Sequence, residues 1–201
     1  LERLRLMHHC LRANRARMIE RFEPYQRLAI MADWYETHPG SLIYASNQFL
    51  ADLLVWYHLS WIAESVRRSD TRIIRLQDKA SSFTLHDRRE LLQIILEQLE
   101  SLVPRYSKLA ERGQVELSMS PYAHPIMPLL MDITSAREAM PEVHLPVIGQ
   151  YPGGEARSLW HLQKGLETFT RVFGNRPAGI WPSEGGVSQR ALKQFADNGF
   201  T

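Results

Sequence analysis

With 201 residues, 44% hydrophobic and 23% charged, the chain can bury the core of one globular domain and is too apolar to be disordered. The formal net charge of +2 leaves no whole-chain field to draw it to nucleic acid or an anionic membrane, although the first 30 residues hold seven Arg against three Glu. Its one cysteine, Cys10, excludes an internal disulfide and a cysteine-built metal site, which fits a reducing, cytoplasmic compartment. The chain opens on Leu1 with no signal-peptide pattern, and reads as cut from something longer.

Leu4, Met7, Leu11 and Met18 in an Arg-rich background, then residues 28–35, predict helix up to the break at His38-Pro39-Gly40. Residues 41–63 form the most apolar stretch, but Asn47, Gln48, Asp52 and His58 interrupt it. An Asp in hydrocarbon costs about 2.5–3.5 kcal/mol, so a buried helix carrying Leu50, Leu53, Leu54, Tyr57 and Trp61 is expected, not a membrane span. Thr84 and Asp87 lie just ahead of a further helix with the apolar stripe Leu91, Leu92, Ile95, Leu99 and Leu102, which Pro104 interrupts. Residues 1–112 are thus mainly helical, and none carries candidate chemistry.

After Gly113 the pattern changes. Gln114-Val115-Glu116-Leu117-Ser118 alternates polar and apolar residues, which predicts a strand. Pro121, Pro125 and Pro128 forbid a regular ladder beyond it, so residues 119–130 are expected to form a loop. A helix follows near residues 135–140, and another over 155–173 stops at Gly174-Asn175-Arg176-Pro177. Residues 178–181 suggest a second strand, Ser188 caps a helix over 189–197 that ends at Asn198-Gly199, and Phe200-Thr201 opens a third strand. Strand, loop, helix and strand in that order describe an α/β unit with parallel strands over residues 113–201. No linker or internal repeat divides the chain, and strand content is low for a complete parallel sheet.

Two segments hold the candidate chemistry. In Gly179-Ile180-Trp181-Pro182-Ser183-Glu184-Gly185-Gly186, a short strand delivers Trp181 to its C-terminal edge, Pro182 stops the ladder, and Glu184 sits at the loop tip. A carboxylate there can attack or stabilise a cationic carbon, and an indole can stack on the CH face of a sugar. Alternatively, Glu184 is a solvated loop acid favoured by a nearby helix dipole. In the first strand, Gln114, Glu116 and Ser118 share one face, and Tyr122 and His124 arrive from the following loop. Glu116 is then either an acceptor for substrate hydroxyls or a buried acid satisfied by an Arg. Eight histidines raise the question of a metal, but His8 and His9 are adjacent and no His-Glu-x-x-His spacing occurs. Only a convergence of His124, His144, His161 and Glu116 would supply a metal site, so neither metal nor cofactor is expected. There is no phosphate-binding glycine loop and no Gly-x-Ser-x-Gly elbow, and the Arg-rich segment lacks interleaved aromatic platforms for nucleic acid.

Together the two motifs resemble glycoside hydrolase family 57, retaining enzymes of α-glucan metabolism that include α-amylases and 4-α-glucanotransferases. Gly113 to Pro125 is similar to that family's second conserved region, Gly179 to Ser188 to its third, and the likeness runs from about Ser41 onward. The resemblance implies part of an incomplete seven-stranded (β/α) barrel with a large helical layer, acting on an α-glucan or oligosaccharide. It implies Glu184 as catalytic nucleophile, Trp181 as the indole lining the site, and Glu116 as an acidic residue contacting substrate. His124 and Tyr122 join the substrate-binding set from the matched loop. The sequence departs from the family at two places. The family's acid/base is an Asp in a fourth region downstream, and Asp197, at the end of a helix leading away, is a poor substitute. The first region, His-Gln-Pro, is missing, and His38-Pro39 does not replace it. The chain is therefore expected to be inactive alone. The competing readings are a metal-dependent polysaccharide deacetylase or α-mannosidase-like enzyme, and a non-catalytic carbohydrate-binding domain.

Overall fold

The computed structural model describes residues 2–200, and polar caps such as Ser46, Asp70 and Ser188 set the starts of several of its helices. The chain forms two compact units, Leu1–Leu99 and Glu100–Thr201.

The first unit is helical: α1 (Glu2–Cys10), α2 (Glu23–Thr37), α3 (Asn47–Trp61), α4 (Glu64–Ser69), α5 (Thr71–Lys79) and the first part of α6 (Leu85–Glu111). Its core joins Met7 and Cys10 of α1, Tyr25, Ala29 and Ala32 of α2, and Leu53, Trp56 and Leu59 of α3 to Ile73, Leu76 and Ile94. Ser46 starts α3 by accepting from the Phe49 N–H at 3.0 Å. Asp52, which argued against a membrane span, is buried and accepts from the Ser82 and Phe83 N–H groups, both at 2.9 Å. These bonds hold the turn between α5 and α6, where Ala80 and Ser82 take left-handed φ values of 62° and 58°. Among the described residues no helix is long and apolar enough to cross a membrane.

Two expectations for α6 are corrected. The helix runs through Pro104 to Glu111. Residues 100 and 104 are both exposed there, so the carbonyl that the proline leaves without a helical donor is open to water. The predicted stripe is also split between two faces: Leu91 is buried with Ile94 and Ile95 packs beside them, whereas Leu92, Leu99 and Leu102 are exposed.

The second unit contains β1 (Ser118–Met119), α7 (Met127–Met131), α8 (Ala136–Ala139), α9 (Gly154–Phe173), β2 (Gly179–Ile180) and α10 (Gln189–Asp197). β1 and β2 are parallel, with Ser118 opposite Gly179 and Met119 opposite Ile180. The core beneath them is Met119, Met127, Met131, Leu162, Phe169, Ala191, Phe195 and Phe200. The paired segment begins later than predicted, because partners across the ladder decide where a strand exists. Residues 114–117 precede it: the Gln114 N–H still donates back to the Leu109 carbonyl of α6 at 3.0 Å, and the Leu117 carbonyl accepts from the Ala178 N–H at 3.0 Å. The alternation holds only in part: Glu116 and Ser118 are exposed while Leu117 and Met119 turn to the core, but Val115, expected on the inner face, is exposed like Gln114. The loop expected over 119–130 contains the start of α7, with Pro128 in the first turn, where a missing N–H costs nothing. Ser188 caps α10 by accepting from the Ala191 N–H at 3.2 Å. Phe200 is buried without forming a strand, and Thr201 lies outside the described residues. Among the described residues the sheet has these two strands, so the α/β pairing is present while a seven-stranded barrel is not formed within them.

Candidate functional site

Parallel pairing sends both chains off the sheet at the same edge. The Trp181 N–H donates to the Met119 carbonyl at 2.7 Å, the last rung before each strand becomes a loop. After β1 the chain turns at Pro121, whose carbonyl accepts the His124 N–H at 2.9 Å. Ala123 and His124 both adopt left-handed backbone, with φ of 58° and 56°. After β2, Pro182 leads into a single helical turn, Ser183–Gly185, in which Glu184 is left-handed at φ 55°. Buried Ser183 seats this turn, and Gly185, at φ 68°, lets the chain leave it.

The two turns bring His124 Nε2 to 3.3 Å from Glu184 Oε1, with the carboxylate side chain 71% exposed and the imidazole 48%. Two residues 60 positions apart thus form a pair at the C-terminal edge of the strands.

Helix α9 fixes the first of these loops. The Tyr122 N–H donates to the His161 carbonyl at 2.9 Å, and His161 Nδ1 lies 2.7 Å from the Tyr122 carbonyl. A carbonyl only accepts, so Nδ1 carries the proton. Gly165, one turn on, permits the close approach: a Cβ there would lie 3.1 Å from the Tyr122 nitrogen and 3.2 Å from the Ser120 oxygen. The Tyr122 ring meets Trp160 edge-on at 5.7 Å, and both rings keep about half their surface open. Trp181 is 59% exposed. His161 was considered from sequence only as one of four possible metal ligands, and Gly165 was not singled out; a glycine inside the α9 pattern is the local signal that marks a close backbone approach.

Glu116 is placed apart from this pair. It lies on the upstream side of β1 and lines a hollow of about 260 Å³ with Glu111, Phe169, Phe173, Asn175 and Arg176. It is exposed and has no hydrogen-bond or ion-pair partner among the described residues, which removes the reading of a buried acid held by an Arg. Asp197 is held by Lys193 at 2.8 Å on the last turn of α10. No three His, Cys, Asp or Glu among the described residues converge as metal ligands.

A carboxylate and an imidazole at the C-terminal edge of parallel strands, with open aromatic rings on the same loops, suit chemistry on a sugar. Residues 9–201 match the sequence model of Glycosyl hydrolase family 57, so the chain belongs to that family. Membership implies glycoside hydrolase or transferase activity on glucans, and hence a carbohydrate substrate. No curated protein and no solved structure matches the chain significantly.

Proposed function

We propose that Glu184 is the nucleophile of a retaining α-glucan-processing site, and that Trp181 and Tyr122 present ring faces to the sugar. One observation carries this reading: Glu184 stands exposed on a left-handed turn at the C-terminal edge of β2, beside an imidazole that comes from the neighbouring strand's loop. In the reaction, a Glu184 oxygen attacks the anomeric carbon as the glycosidic bond breaks, and the leaving oxygen takes a proton from an acid. The glycosyl ester then passes to water or to a sugar hydroxyl, whose proton returns to the same group. Exclusion of water at that step decides between hydrolysis, as in an α-amylase, and transfer, as in a 4-α-glucanotransferase. Glu116, on the polar face of the β1 segment, is assigned to substrate hydroxyls further along the site.

The protonating group must sit with its carboxyl about 5–5.5 Å from the nucleophile in a retaining enzyme. Asp197 is committed to Lys193 on α10, so that acid is assigned to a residue other than Asp197. The test is Glu184→Gln in the natural polypeptide that carries this sequence. Turnover of malto-oligosaccharides is expected to fall to background. With a 5-fluoro-α-glycosyl fluoride, intact-mass analysis should show one sugar on the parent and none on the variant. Full activity in Glu184→Gln would overturn the assignment.

A further inference from the structure

We infer that His124 is a positioning residue: it holds the Glu184 carboxylate in its attacking orientation and does not itself bind the sugar, an inference that rests on Glu184 being the nucleophile. His124 Nε2 is 3.3 Å from Glu184 Oε1, and among the described residues the Glu184 side chain has no other ion-pair or hydrogen-bond partner. A carboxylate exposed to this degree samples several rotamers unless a neighbour selects one. His124 stands where that selection is made.

The backbone on both sides is arranged around this contact. Ala123, His124 and Glu184 are three of the five described non-glycine residues with positive φ, a conformation that persists only where the surrounding structure holds it. That support is visible for the His124 loop, where Tyr122 is clamped to His161 in both directions and Gly165 leaves room for the loop on α9. On the other loop, Ser183 is buried, and the Gly185 and Gly186 N–H groups close on the Pro182 and Ser183 carbonyls, both at 2.9 Å. Two anchored turns with strained tips that meet at one contact are the arrangement a fixed nucleophile needs. A sugar-binding histidine would need neither the strain at Glu184 nor the imidazole turned toward it.

Attack requires the reacting atoms about 3–3.5 Å apart and aligned, and a misplacement of about 1 Å costs on the order of 10²-fold. In the natural polypeptide, with an aryl α-maltoside whose leaving group needs no protonation, His124→Ala is expected to lower kcat/KM by about 10–100-fold. His124→Gln, whose amide nitrogen reaches the position of Nε2, should recover most of that loss. Calorimetric binding of maltotetraose should be the same for Glu184→Gln and for Glu184→Gln with His124→Ala, because the imidazole acts only through the carboxylate. Weaker maltotetraose binding in the double variant, or equal losses in His124→Ala and His124→Gln, would overturn the inference. Glu184→Gln alone reports on the nucleophile: if it keeps its turnover, the nucleophile assignment has failed, whatever His124 does.

Discussion

Cys10 shows how far the interior of the first unit departs from water. Its side chain is fully buried, its carbonyl accepts from the buried Tyr25 hydroxyl, and burial pushes its thiol up to about 12. At pH 8 the thiolate fraction is then about one in ten thousand, and the reactive form is also shielded from reagent. Ellman's reagent is therefore expected to leave the folded chain unmodified at pH 8 and to titrate one thiol once urea unfolds the first unit. Rapid modification of the native chain would show that α1 is not packed on α2 and α3 as described. Asp52 makes a related point about legibility. Its charge within an apolar run was enough to reject a membrane span, but the two N–H groups it satisfies lie 30 and 31 positions away and leave no mark near it in sequence.

At the start of α6, Thr84 and Asp87 form a reciprocal cap. The Thr84 N–H donates to the Asp87 carboxylate at 2.7 Å, and the Asp87 N–H donates to the Thr84 hydroxyl at 3.2 Å. Burial alone would raise the Asp87 carboxyl, but the Lys79 ammonium at 2.5 Å and the Thr84 donors outweigh it and hold the group well below the usual carboxylate range. A carboxyl depressed in the folded state adds stability that is fully present above its unfolded value, about 3.9, and is lost as pH falls below that value. Asp87→Asn should accordingly cost about 0.5–2 kcal/mol near neutral pH, and the gap to the parent should close as pH drops below about 4. Thermal unfolding of both proteins from pH 3 to 7 measures this, and a gap constant with pH would refute it. Such caps are local, which is why α10 and the start of α6 were legible. Pro104 was misread because its exposure is not local information. The β1 segment was placed early because its ladder depends on a partner 61 positions away. The same dependence hid the His124 and Glu184 contact: each residue was recognisable in its own motif, but their meeting follows from strand register and from two left-handed turns that neither motif announces.

Across the whole molecule, every candidate site residue falls in the second unit, while the core of the first unit is built from its own helices. Family membership covers residues 9–201 and so includes both units, but the chemistry proposed for Glu184 needs two groups, and its partner must protonate the departing oxygen. Of the acids that the motifs or their spacing suggest, Glu116 lines the hollow on the upstream side of the sheet and Asp197 is paired with Lys193. An attacking carboxylate without a proton donor still displaces a leaving group that departs as a stable anion, whereas an ordinary glucan oxygen does not leave unprotonated. The 201-residue polypeptide by itself is therefore expected to leave soluble starch intact. A reducing-sugar assay on the isolated polypeptide checks this directly. Sustained hydrolysis of starch would mean that the proton donor lies within these residues, and because neither Glu116 nor Asp197 is placed to serve, it would move the search to the loops around His124 and Tyr122.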